Sequence, residues 1–136
     1  MAKAQAGMEY VLIVAAFLII LIPVTYLALQ TATASSRTAT ARIAVESVAD
    51  AADSLFAQSP GARTQVVIVL PDGVNAARTY ILGREVNVNV FLPAGGTADV
   101  FALARGNLTG TMPARPGKHL LTLAFLPSGV VNVSEG

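Results

Sequence analysis

Residues 11–29 read VLIVAAFLIILIPVTYLAL, inside an uncharged run that extends from Tyr10 to Ser36. About 20 apolar residues suffice for a helix to cross the hydrocarbon core of a bilayer, so this stretch is membrane-competent. Directly before it stands Glu9. A carboxylate inside hydrocarbon costs about 2.5 kcal/mol or more, and such groups pair with something or carry function. Lys3 lies on the other side of Glu9, and positive charge at that end favours keeping it cytoplasmic, which puts residues 30–136 on the far side of the membrane. A cleavable secretory signal has an apolar core of about 7–15 residues followed by a small-residue cleavage site. Here the run is longer, and the QTATASSRTATA that follows continues into a helical pattern. The apolar segment therefore reads as retained.

Working outward, the 136 residues leave room for one modest domain after such a segment. The chain is 54% hydrophobic and 12% charged, with a mean hydropathy of +0.62, but the apolar excess lies before residue 30 and the remainder has the composition of an ordinary soluble domain. Net charge is +1, and the nine basic residues are scattered singly. No basic patch with interleaved aromatic residues points to nucleic acid. Without cysteine there is neither a disulfide framework nor a thiolate metal site, so packing alone must hold the fold.

In RIAVESVADAADSLFAQ, residues 42–58, Val45, Val48, Ala52, Leu55 and Phe56 fall on one helical stripe, with Glu46, Asp50 and Asp53 on the other face. Ser59-Pro60-Gly61 ends that pattern. No glycine or proline interrupts residues 24 to 59, so the spacing predicts one helix over 5–58, about 80 Å long at about 1.5 Å per residue. Pro23 removes one backbone bond, and the Thr- and Ser-rich stretch from Thr31 to Ala41 lowers helix propensity. Both are candidate sites of a kink.

After Gly61 the period falls from about 3.6 to 2. TQVVIVLP, RTYILG, EVNVNVFLP, ADVFALARG, KHLLTLAFLP and GVVNVS are six candidate strands, separated by PDG, PAGG, GNLTG, ARPGK and PSG. In EVNVNVFL, Val86, Val88 and Val90 share one face and Asn87 and Asn89 the other, as in a half-buried strand. The expected fold is α+β: a long N-terminal helix, then a small antiparallel sandwich or barrel over residues 62–136, one face of which the helix stripe can cover.

Gln5-Ala6-Gly7-Met8-Glu9-Tyr10-Val11-Leu12-Ile13 resembles the class III signal peptide of archaeal type IV pilin-like proteins, Q-x-S-x-E-x-x-x-L. Gln5 and Glu9 match; Gly7 stands where Ser is usual, and Ile13 takes the Leu position, with Leu12 beside it. The plan of long helix and β-rich head is similar to that family over the whole chain, with less specificity. The resemblance implies that residues 1–4 are a leader, cut between Ala4 and Gln5 by a membrane-embedded prepilin peptidase, with the apolar helix left attached. It further implies a membrane-held precursor and export by pilus assembly machinery. The product is a homopolymer at the cell surface whose core is built from Val11, Leu12, Ile13, Phe17, Ile20, Pro23 and Tyr26. A cut there exposes an α-amino group at Gln5, one turn from Glu9, and between neighbouring helices this pair would neutralise both charges and set the axial register. Three rivals stand beside an adhesive pilus subunit: a single-pass anchor with Glu9 at headgroup level, a minor pilin or anchored protein whose head binds a ligand, and a motility-filament subunit, whose signal peptides usually lack the Gln/Glu pattern.

Asn107-Leu108-Thr109 and Asn132-Val133-Ser134 are N-glycosylation acceptor patterns, in a turn and at a strand end by this reading. His119, the one histidine, has no Cys, second His or acid cluster near it in sequence and reads as an exposed strand-edge residue. Asp50 and Asp53 read as a solvated helix face. Gly95, Gly96 and Gly117 have no phosphate-loop context, and Ser128 and Ser134 have no catalytic partner. Neither enzyme chemistry nor a cofactor is indicated.

Overall fold

The computed structural model describes residues 2–136. Helix α1 spans Ala2–Phe56 and contains Pro23, so it begins before Gln5 and stops two residues short of Gln58. The backbone stays helical through the Thr-rich stretch. Its hydroxyls do not compete with the helix, because Thr31 and Thr33 donate to the carbonyls of Leu27 and Leu29, and Thr38 donates to that of Ala34. Thr25 does the same to Leu21, two residues after the proline. The chain divides into two compact units, one ending at Thr33 and one running from Ala34 to Gly136.

Seven strands follow the helix: β1 Arg63–Leu70, β2 Tyr80–Leu82, β3 Glu85–Phe91, β4 Thr97–Leu103, β5 Leu108–Gly110, β6 Gly117–Phe125 and β7 Val131–Glu135, with a short 3-10 helix at Ala76–Arg78. They form a four-stranded sheet in the order β1-β6-β7-β5 and a three-stranded sheet in the order β2-β3-β4. β5 corrects two expectations. It is a seventh strand inside what reads as a turn, and it pairs parallel with β7, so the head is not purely antiparallel. The Leu108 N–H donates to the Gly83 carbonyl at 2.7 Å, linking the start of β5 to the turn after β2.

One cluster of buried side chains joins the helix to both sheets. From the helix come Ala41, Ala44, Val45, Val48, Ala52 and Leu55; from the first sheet Ile68, Leu121, Leu123 and Val133; from the second Val86, Val88, Val90 and Val100. Each fully buried Val or Leu contributes about 1.5–3 kcal/mol. Phe56 closes the helix end, its ring edge-on to Phe125 with centroids 5.4 Å apart. Arg37 adds a polar tie, donating to the Phe91 carbonyl at 2.8 Å.

The predicted valine face of β3 is the core face, but Asn87 and Asn89 are buried too. The reason is the connection before β2, which arches over the other side of β3. The Asn75 N–H donates to the Asn89 carbonyl, and the Asn87 amide donates to the Arg78 carbonyl at 2.8 Å. The Asn89 amide donates to Asp99 Oδ1 at 2.6 Å and accepts from Asn75 through its own oxygen at 3.2 Å. Among the described residues no buried side-chain polar atom lacks a partner, so the network offsets the cost of burying amides. Hydrogen bonds from Asn89, then Asn87, hold the Asp99 carboxyl below its ordinary range.

Candidate functional site

In the first unit every large apolar side chain from Met8 to Leu29 is exposed, from 39% at Val14 to 71% at Ile19. The reason is composition. Apolar residues run all the way round the helix, so no face is set aside for the chain's own core, and the segment is long and apolar enough to cross a membrane. Val11, Leu12, Ile13, Phe17, Ile20, Pro23 and Tyr26 all lie on this uncovered surface. Ala4, Gln5 and Glu9 are exposed as well, and the Ala4–Gln5 bond lies within the helix, with Gln5 and Glu9 one turn apart. The ion pairs found among the described residues, Arg115–Glu135 and His119–Glu135, both lie in the second unit and leave Glu9 unpaired. Gly7 meets nothing within 4 Å of where a Cβ would sit, so its lack of a side chain serves no contact within the chain.

The second unit places the other candidates. Asn107 is exposed just before β5, its carbonyl accepting from the Val131 N–H. Asn132 is half-buried near the start of β7, paired with Ala124 on one side and Thr109 on the other. His119 is buried, contrary to expectation, because β6 is an interior strand and the imidazole points with Leu121 and Leu123 toward the core face. Its Nδ1 lies 2.8 Å from Glu135 Oε1 and its Nε2 lies 2.6 Å from the Arg115 carbonyl. Both partners are acceptors, so a ring that donates from both nitrogens meets both. The bond from His119 is the main reason the Glu135 carboxyl is held below its usual range, with the positive charge of Arg115 assisting. Asp53 also departs from a solvated helix face: its Oδ1 accepts from the Arg105 N–H at 2.7 Å and ties the helix to the loop after β4. Asp50 is exposed as expected. No group of His, Cys, Asp or Glu among the described residues could hold a metal ion.

One surface was not singled out from sequence. Tyr80, Leu82, Phe91, Phe101 and Leu103 are exposed on the outer side of the β2-β3-β4 sheet. Strict alternation in β4, TADVFAL, signals it, because Phe101 and Leu103 fall opposite Val100 in phase. No family model, curated protein or solved structure matches the chain.

Proposed function

We propose that the chain is a structural subunit, a pilin, of an archaeal type IV-like adhesive pilus, cut by prepilin peptidase between Ala4 and Gln5 and held in the membrane by the N-terminal helix that this cut leaves attached until it polymerises. The observation that carries this reading is the uncovered apolar surface from Met8 to Leu29, with one unpaired acid at its threshold. In the precursor, lipid covers that surface. In the filament, the same side chains of neighbouring copies replace lipid, and dispersion between closely packed helices holds them. Gly7, Ala15 and Ala16 let backbones approach, and Gly7, which has no steric task within the chain, acquires one between chains.

Glu9 supplies register. Its carboxylate faces a costly apolar surrounding, and the new α-amino group at Gln5 of an adjoining copy neutralises it. The β-domain stays outside the bundle, displayed for adhesion to surfaces or cells. Asn107, exposed before β5, is the more accessible of the two glycan acceptors. The Glu9→Ala variant tests the mechanism. It is expected to be cut at the same bond, by N-terminal mass, yet to give few or no surface filaments by electron microscopy. Normal filaments from the variant would remove Glu9 from the account.

A further inference from the structure

On the outer face of the β2-β3-β4 sheet the arch covers Asn87 and Asn89, and apolar side chains stand exposed around that cover. Cross-strand register sets Tyr80 and Phe101 on either side of Asn87, and Leu82 and Leu103 on either side of Glu85. Phe91 follows on the same side of β3. These five side chains are 42% to 72% exposed. After the helix the chain has four aromatic residues, Tyr80, Phe91, Phe101 and Phe125, and only Phe125 packs into the core cluster. Aromatic groups carry large burial energies and are enriched where proteins meet. Keeping three of these four outside gives them a use there, and apolar side chains gathered on one sheet face mark interaction sites.

The outer face of the other sheet is smaller and of opposite charge. Val67 lies opposite Leu120 and Val69 opposite Lys118, and all three apolar residues are exposed. The outward positions of β1, β6 and β7 carry Arg63 and Lys118 and no acid, whereas those of β2, β3 and β4 carry Glu85 and Asp99 and no base. Arg78, on the arch, is the positive charge beside Asp99. Arg78 thus offsets Asp99, and the uncovered end of the β2-β3-β4 face, with Leu82 and Leu103 beside Glu85, is apolar with one acid, complementary to the apolar β1-β6 face with its two bases. Pairing either face with its own copy brings Glu85 against Glu85 or Lys118 against Lys118, which disfavours that arrangement.

We propose that the outer face of β2-β3-β4 in one copy docks on the outer face of β1-β6 in the next, with Phe101 and Leu82 seated over Val67, Val69 and Leu120. This inference rests on the subunit reading above and adds a second contact to it, between heads. A contact between two different faces propagates from copy to copy instead of closing on a pair, as a helical filament requires.

The chain has no cysteine, so introduced thiols are the only ones. The test uses the full chain carrying Val67→Cys and Leu82→Cys, treated with a short bismaleimide in intact surface filaments and, separately, in detergent. The expected product from filaments is a ladder of multimers, with each single-cysteine chain remaining monomeric. Adding Phe101→Glu, at an exposed position, is expected to cut ladder yield about tenfold or more, as loss of an aromatic anchor does. Filaments that form but give no ladder would overturn the head contact and leave the subunit reading standing. Dimers from either single-cysteine chain would overturn it in favour of same-face pairing, as would a yield unchanged by Phe101→Glu. A ladder in detergent from a chain that never forms filaments would support the contact and sink the subunit reading.

Discussion

The stretches Tyr10–Leu29 and Ala41–Phe56 belong to one helix and draw on similar residues, Val, Leu, Ile and Ala, yet their burial is opposite. In the second, Ala41, Ala44, Val45, Val48, Ala49, Ala52 and Leu55 are at most 4% exposed, while Glu46 and Asp50 face water. In the first, no large apolar side chain is covered. The difference lies in patterning. A stripe of apolar residues about 100° wide finds its partner within the chain, whereas a helix that is apolar all round finds none there and needs lipid or other copies. On the proposed reading the first stretch serves association, while the second serves folding.

The largest test of this contrast is a charge placed in each stretch. Val48→Asp buries an unpaired carboxylate in the core and is expected to destabilise the second unit by about 4 kcal/mol or more, often to the point of unfolding. Ile13→Asp is expected to leave the melting of that unit unchanged, by thermal denaturation in detergent, while abolishing membrane retention or assembly. Equal loss of stability from both would break the comparison. Next in size, Leu55→Ala removes a fully buried side chain and is expected to cost about 2–5 kcal/mol. Leu18→Ala, at an exposed site, is expected to change denaturant stability by less than about 0.5 kcal/mol.

Two glycines sharpen the same point. A Cβ at Gly106 would sit 2.6 Å from the Phe56 ring, so Gly106→Ala is expected to cost about 1–3 kcal/mol through overpacking at the helix end. Gly7→Ala meets nothing within the chain and is expected to stabilise the isolated helix by about 0.5–1 kcal/mol. The smallest effect is on pH. Glu135 and Asp99 have carboxyl pKa values lowered in the folded state. Their contribution is fully present above the ordinary carboxyl range and is lost as pH falls through the lowered values. Acid titration of stability is expected to flatten in Glu135→Gln and in Asp99→Asn.

The elements that were legible in sequence have strong periods. Val45, Val48, Ala52 and Leu55 repeat at helical spacing, and Val86, Val88 and Val90 alternate, and these residues are core. β5 was not legible because Leu108-Thr109-Gly110 is short and glycine-flanked. What makes it a strand is its partner β7, with Gly110 at φ +110° where a Cβ would strike the Val133 carbonyl. Asn87 and Asn89 show the limit of alternation. A period of two assigns residues to opposite faces, but it cannot say that the Asn75–Arg78 arch will cover the polar one. His119 is similar, since its partner Glu135 lies sixteen residues away and meets it only once β7 pairs with β6. In the first unit the sequence motif carries the functional reading, and the fold adds that the large apolar side chains from Met8 to Leu29 are exposed.

The most direct test of the central claim is the N-terminal mass of this chain in filaments sheared from the cell surface. The account predicts a chain beginning at Gln5 that dominates that fraction, with its apolar helix intact. A chain that retains Met1 and is found only with membranes would contradict it and leave a single-pass anchor.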